Sequence, residues 1–441
     1  MSITVSSTRS TLSVNGGLVA IKELVAKLGL GARLSTALPS GPKATDKCLN
    51  MVYGFATGAD CLDDLERLGA DDAGYRAVVS KDYSAKTYGD WLRTFEPIHC
   101  KQAVYSLAET SMDLRAALGK PAKHVVIDLD STVNEQWGKK MEDVRMCYEG
   151  TMGYDTLHAF DEQGLPYWTE LRPGGTYSSN GSGEVIHSVL YRFRTDPRFR
   201  HLRRYSRGDS AFCNAEYFNA CASAEAGFVC AMRDNMLSPV LDSITHWEAQ
   251  NRGKVTRIMF YDGRECEIGE TVYKHEGCVQ TLRVVVIRAR KEKVQMDMFG
   301  KVEIYDYHAW ITNIGEHEMS SERVIKFYRG RGTAENYIKE TKYGFDLKNY
   351  PCLKFLANRA FGVIAMMSYA LMRFVAILRA EKGLVHFAKL TRHKIIRLPA
   401  IVVRHGRKVT FKFMEHHAKE VTKLIDAIKT VQFGLSTCLS G

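Results

Sequence analysis

The sequence predicts an α/β protein, and three patterns carry that expectation. KHVVIDLD, residues 123–130, is a β-branched run ending in acids and reads as a buried central strand. DTLHAFD (155–161) and LPYWTEL (165–171) flank the turn Glu162-Gln163-Gly164 and read as a hairpin. After them helical and strand spacings alternate through EVIHSVLYRF, LRRYSRGD, AEYFNACASAE and GFVCAMR.

Taken in order, residues 1–120 read as short helices: GGLVAIKELVAKLGLGARL, CLNMVYGFATGA, CLDDLERLGA and TYGDWLRTF, the last with Thr87 as its N-cap. Several small helices ahead of a core suit either a helix-turn-helix-like DNA-binding region or a dimerisation region. Residues 121–233 hold the first part of the α/β core, with the Gly/Ser loop RPGGTYSSNGSGE opening its first helix. Residues 234–322 form a β-rich insertion with alternating stretches KVTRIMFYDG, TLRVVVIRARK and KVEIYDYHAWITNI. Residues 323–380 complete the core with a polar helix and an apolar one. In the apolar stretch 355–378 only thirteen residues separate Arg359 from Arg373, too few to span a bilayer, so a buried core helix and no membrane partner are expected. Residues 381–441 read as a hairpin turning at His405-Gly406 and a final amphipathic helix over 416–431.

The 441 residues are 45% hydrophobic and 25% charged, as in a folded globular protein, and a net charge of +11 suits a polyanionic partner. Eleven cysteines without a CxxC pair exclude a zinc ribbon and a secreted disulfide framework. The N-terminus has no apolar run behind a basic start and so does not read as a signal peptide, and reduced thiols lead to the expectation of a cytoplasmic protein.

The stretch FYRGRGTAENYIKETKYGF, residues 327–345, is the most informative. Tyr328, Arg331, Glu335 and Lys342 stand at spacings that put all four on one face of a continuous helix, within about 60° of one another. Such a stripe can be a solvated ion-paired face, or a face that offers one carboxylate to a metal and cations to phosphates.

The spacing Y-x2-R-x3-E-x6-K resembles the signature around the last acid of DDE transposases of bacterial insertion sequences. The resemblance implies a ribonuclease-H-like core interrupted by a β-rich insertion. It also implies an enzyme, a metal-dependent nuclease and strand transferase that cuts transposon ends and joins the freed 3′ hydroxyl to target DNA. Three carboxylates would hold two Mg²⁺ ions, with Mn²⁺ able to substitute. The candidate acids are Asp130 before Ser131-Thr132, Asp209 in RGDSAF, and Glu335. Asp128, two residues from Asp130 and on the same strand face, is an alternative first ligand or a structural acid. Asp209 also has the position of a helix N-cap. Arg331 and Lys342 would grip phosphates, Tyr328 would bond a phosphate or orient Glu335, and Trp310 would stack a displaced base or fill the core. The implied partners are double-stranded DNA, as terminal inverted repeats and target, and a second copy of the chain in the active complex. A domesticated, non-catalytic DNA-binding regulator and a related nuclease of the same fold are the other readings.

Overall fold

The structure, a computed structural model, describes residues 3, 11–119, 122–138, 140–249, 258–291, 295–297, 300–302, 304–380 and 383–433. A mixed sheet dominates it. The β-branched run forms β1 (His124–Glu135), longer than expected because STVNE stays extended beside the hairpin. β2 (Met152–Asp161) and β3 (Pro166–Arg172) are that hairpin, β2 lying antiparallel to β1. On the other side of β1 lie β4 (Arg203–Gly208) and then β5 (Gly227–Ala231), both parallel to it. The half-sheet order is thus β3-β2-β1-β4-β5. Two helices connect these strands: α2 (Ser182–Thr195), after the longest N-terminal helix α1 (Pro97–Ala117), and α3 (Ala215–Ser223).

The β-rich stretch extends this sheet. β6 (Glu267–Tyr273), β7 (Leu282–Arg290) and β8 (Tyr305–Thr312) add antiparallel, and β8 pairs directly with β5, Trp310 opposite Ala231. Of KVTRIMFYDG, residues 254–257 lie outside the described residues, and Met259 makes only an isolated bridge to Glu265.

The polar stretch forms two helices, α4 (Ser321–Arg329) and α5 (Gly332–Gly344). The apolar one forms α6 (Phe355–Leu378). Among the described residues α6 is the one helix long and apolar enough to cross a membrane, and 94% of its apolar window is buried inside the protein. Phe55 meets Phe361 edge-on at 5.0 Å, and the Ser368 hydroxyl donates to the Val52 carbonyl at 2.8 Å. The N-terminal helices therefore share one apolar core with the sheet. Each fully buried ring such as Phe55 or Phe361 contributes about 1.5–3 kcal/mol to it.

Two N-terminal details differ from expectation. The helix carrying TYGDWL begins at Ala85, capped by Ser84, whose hydroxyl accepts from the Thr87 amide; the hydroxyl one turn earlier reaches the free amide first. The 21-residue α1 shows no amphipathic stripe because it is buried on several sides, and Pro97 with the Glu96–His99 reciprocal cap fixes its start. At the C-terminus β9 (Ala400–His405) and β10 (Lys408–Phe413) form the expected hairpin, with Leu12–Ser13 paired to β9, followed by the helix Glu415–Thr430.

Candidate active site

Asp130 lies on β1 and Asp209 directly follows β4, so parallel pairing of these strands sets both acids near one edge of the sheet. Glu335 stands in the first turn of α5, where the helix N-terminus favours a carboxylate. One guanidinium joins all three. Arg331 Nη2 lies 3.0 Å from Asp130 Oδ1 and 3.0 Å from Asp209 Oδ2, and its Nη1 lies 3.8 Å from Glu335 Oε1.

The acids differ in surroundings. Asp130 is 7% exposed, and burial pushes its carboxyl up to about 7. Arg331 and the Ser131 amide oppose that rise, whereas Asp209 and Glu335 add to it. Asp209 serves two ends: Oδ1 accepts from the Ala211 amide at 2.8 Å, capping the turn Ser210–Phe212, while Oδ2 faces Arg331. The cap expected of this residue is formed, and its second oxygen is left to the guanidinium. Glu335 is the most solvated of the three.

Asp128 does not join them. Its carboxylate accepts from Arg207 Nε at 2.6 Å and Nη2 at 2.7 Å, and both side chains are buried. Burial raises the Asp128 carboxyl against the pull of Arg207. Arg207 Nη1 donates onward to the Phe327 carbonyl at 2.7 Å, in the last turn of α4. Asp128 is thus a structural acid that ties β1, through β4, to the helix pair carrying Arg331 and Glu335. Arg207 occupies both of its oxygens, an arrangement that fits the structural-acid alternative and not the first-ligand one.

The single-face stripe also needs correction. Gly330 and Arg331 donate to carbonyls three residues back, and this tightened turn separates α4 from α5. A Cβ on Gly330 would stand 2.4 Å from Arg207 Nη1, so any other residue here must displace the guanidinium that holds Asp128. Tyr328 falls on the far side of the junction, with its ring 5.7 Å from Trp310 and its phenol raised by burial. Trp310 is 1% exposed in the sheet core. A buried indole offers no face to a displaced base, so of its two expected roles only the core one fits. Lys342 is half-buried, and its Nζ donates to the Val133 carbonyl at 2.7 Å, fastening α5 to β1.

Sequence reasoning missed Arg207 and Gly330. An arginine on a buried strand needs a buried anion; Asp128 across the parallel register was available to be matched with it.

The donor chemistry of the three acids, oxygen alone, fits a hard divalent ion such as Mg²⁺. With Arg331 between them, however, no group of three acid, His or Cys side chains among the described residues is arranged to hold a metal. Here a guanidinium stands where cationic charge is needed.

No curated protein matches the chain. A family model described as Transposase DDE domain group 1 matches residues 1–432. With a sheet that gathers Asp130, Asp209 and Glu335 around one cation, the chain belongs to that DDE transposase family, for which DNA is the partner.

Proposed function

We propose that the protein cuts DNA at transposon ends and joins the freed 3′ hydroxyl to target DNA, with Asp130, Asp209 and Glu335 as its catalytic acids. The observation that carries this is the convergence of three carboxylates, from β1, the end of β4 and α5, on Arg331. The order β3-β2-β1-β4-β5, antiparallel then parallel, supports a ribonuclease-H-like core in which the β-rich insertion continues the sheet.

On this reading Asp130, Asp209 and Glu335 would hold two divalent ions. Bound there, such ions activate the attacking oxygen and stabilise the leaving one. The chain's own residues do the positioning. Arg331 must leave the acids for the ions to enter, and its buried Nε has no hydrogen-bond partner among the described residues, so its present contacts leave it incompletely satisfied. A DNA phosphate offers a guanidinium two parallel bonds and so gives Arg331 its second position. Lys342 holds α5 against β1, and Asp128 with Arg207 holds the α4–α5 junction. A cytoplasmic site of action, an active homodimer and sequence preference from the N-terminal helices belong to the same proposal.

The test is isothermal titration of Mg²⁺ or Mn²⁺ into protein with and without a cut end duplex, beside a nicking assay. DNA should strengthen metal binding, and Glu335→Gln should abolish both the binding gain and the nicking. Nicking that persists in EDTA would refute the proposal.

A further inference from the structure

Residues 383–414 contain eight Lys or Arg and no Asp or Glu, in a chain whose net charge is +11. The segment starts against the catalytic helix, where the Ala388 amide donates to the Glu340 carboxylate on α5, and ends in the β9–β10 hairpin. Arg404, Arg407, Lys408 and Lys412 are all exposed on that hairpin. None of the four has a carboxylate partner among the described residues. The next acids along the chain are already engaged, Glu415 with Lys419 and Glu420 with Arg379. Assembling unpaired cations costs stability, and a polyanion relieves that cost.

The shape is as specific as the charge. Leu12–Ser13 pairs with β9 only at its base, opposite Ile401 and Ala400, so the outer part of the hairpin is a two-stranded ribbon and β10 is an edge strand among the described residues. Lys408 and Lys412 lie four residues apart on one face of β10, about 14 Å at 3.4 Å per residue. Ile401 and Val403 are exposed on that same face of the ribbon. A two-stranded antiparallel ribbon fits the major groove of B-DNA, about 12 Å wide, and cations at that spacing reach both phosphate walls.

We propose that the β9–β10 hairpin is a duplex-DNA contact surface, laid into a groove with Arg407, Lys408 and Lys412 on phosphates. This rests on DNA being the partner, and it holds whether or not the three acids cut.

The experiment uses the full chain, a 30-base-pair duplex of arbitrary sequence and a sodium chloride series, read by fluorescence anisotropy. The triple variant Arg407→Gln, Lys408→Gln, Lys412→Gln should lower the slope of log affinity against log salt by about 3, near 0.9 per lost phosphate contact. A control variant with Lys86→Gln, Arg200→Gln and Lys423→Gln, also exposed cations, should leave the slope near wild type. Lys408→Arg with Lys412→Arg should keep it. The hairpin substitutions should lower the slope by the same amount in an Asp130→Asn background as in wild type, which separates this surface from the catalytic reading. An unchanged slope in the hairpin variant, or a loss no larger than the control's, would overturn the proposal. A changed oligomer mass by light scattering with unchanged DNA affinity would also overturn it, giving the face to a second copy.

Discussion

Asp128 and Asp130 are two residues apart on one strand, and burial raises both carboxyls, but their partners differ: Arg207 holds Asp128 bidentately, whereas Asp130 shares Arg331 with two other acids. Asp128→Asn leaves the Arg207 guanidinium with one carbonyl where it had a bidentate carboxylate, in a place shielded from water. Breaking a buried pair from one side costs about 3–5 kcal/mol. Asp130→Asn strands no cation, because Arg331 keeps Asp209 and Glu335 beside it. The folded protein raises this carboxyl from 3.8 to about 7, so the fold favours its protonated form. Stability from that group is fully present below 3.8 and is lost as pH rises through about 7. At about 1.4 kcal/mol per unit, some three units amount to about 4 kcal/mol of destabilisation at pH 8, much of which the neutral amide relieves. Urea unfolding midpoints of metal-free protein at pH 5 and pH 8 provide the assay. Asp128→Asn should be less stable than wild type at both values; Asp130→Asn should be more stable than wild type at pH 8, by a margin that shrinks at pH 5. A wild-type midpoint for Asp128→Asn, or a loss in Asp130→Asn at pH 8, would refute the assignment of one acid to structure and the other to the site.

Three further outcomes are expected. Gly330→Ala should displace Arg207, loosen the α4–α5 junction and lower both the unfolding midpoint and the nicking rate, since its Cβ would meet Nη1 at 2.4 Å; wild-type values in both assays would dismiss the close approach. Arg331→Lys should retain only part of the nicking activity, because an ammonium cannot make the paired bonds of a guanidinium; Arg331→Ala should nick less still, and equal rates for all three proteins would make Arg331 a bystander. Lys342→Met, which removes the bond to Val133, should cost about 1 kcal/mol of stability and slow nicking more than it weakens DNA binding; a pure loss of DNA affinity would return Lys342 to phosphate contact.

The core strands were legible because each is bounded by turn residues and patterned by burial: KHVVIDLD, LRRYSRGD and GFVCAMR all appear as strands in sequence order. Asp130, Asp209 and Glu335 were picked out as strand-end and signature positions, and the structure sets them round Arg331 although Asp130 stands inside β1 and not at its end. What escaped depends on contacts distant in sequence. Periodicity through residues 327–345 shows one helix, and only the Arg207–Phe327 bond and the space Gly330 leaves for it explain the break. Trp310 reads equally as a stacking ring or a core ring until β8 is known to be sandwiched between β5 and β7. Asp128 and Asp130 are equivalent by alternation, and the parallel register that sets Asp128 against Arg207 tells them apart.

The central claim is that Asp130, Asp209 and Glu335 form one cutting centre. The most direct measurement is single-turnover nicking of a duplex carrying the DNA that flanks this gene, in Mg²⁺, by Asp130→Asn, Asp209→Asn, Glu335→Gln and their pairwise combinations. Every single variant should lose nicking while still binding the duplex, and the double variants should be no worse than the singles, as for residues that act as a unit. Retained nicking in any of the three, or losses that multiply in the doubles, would contradict it.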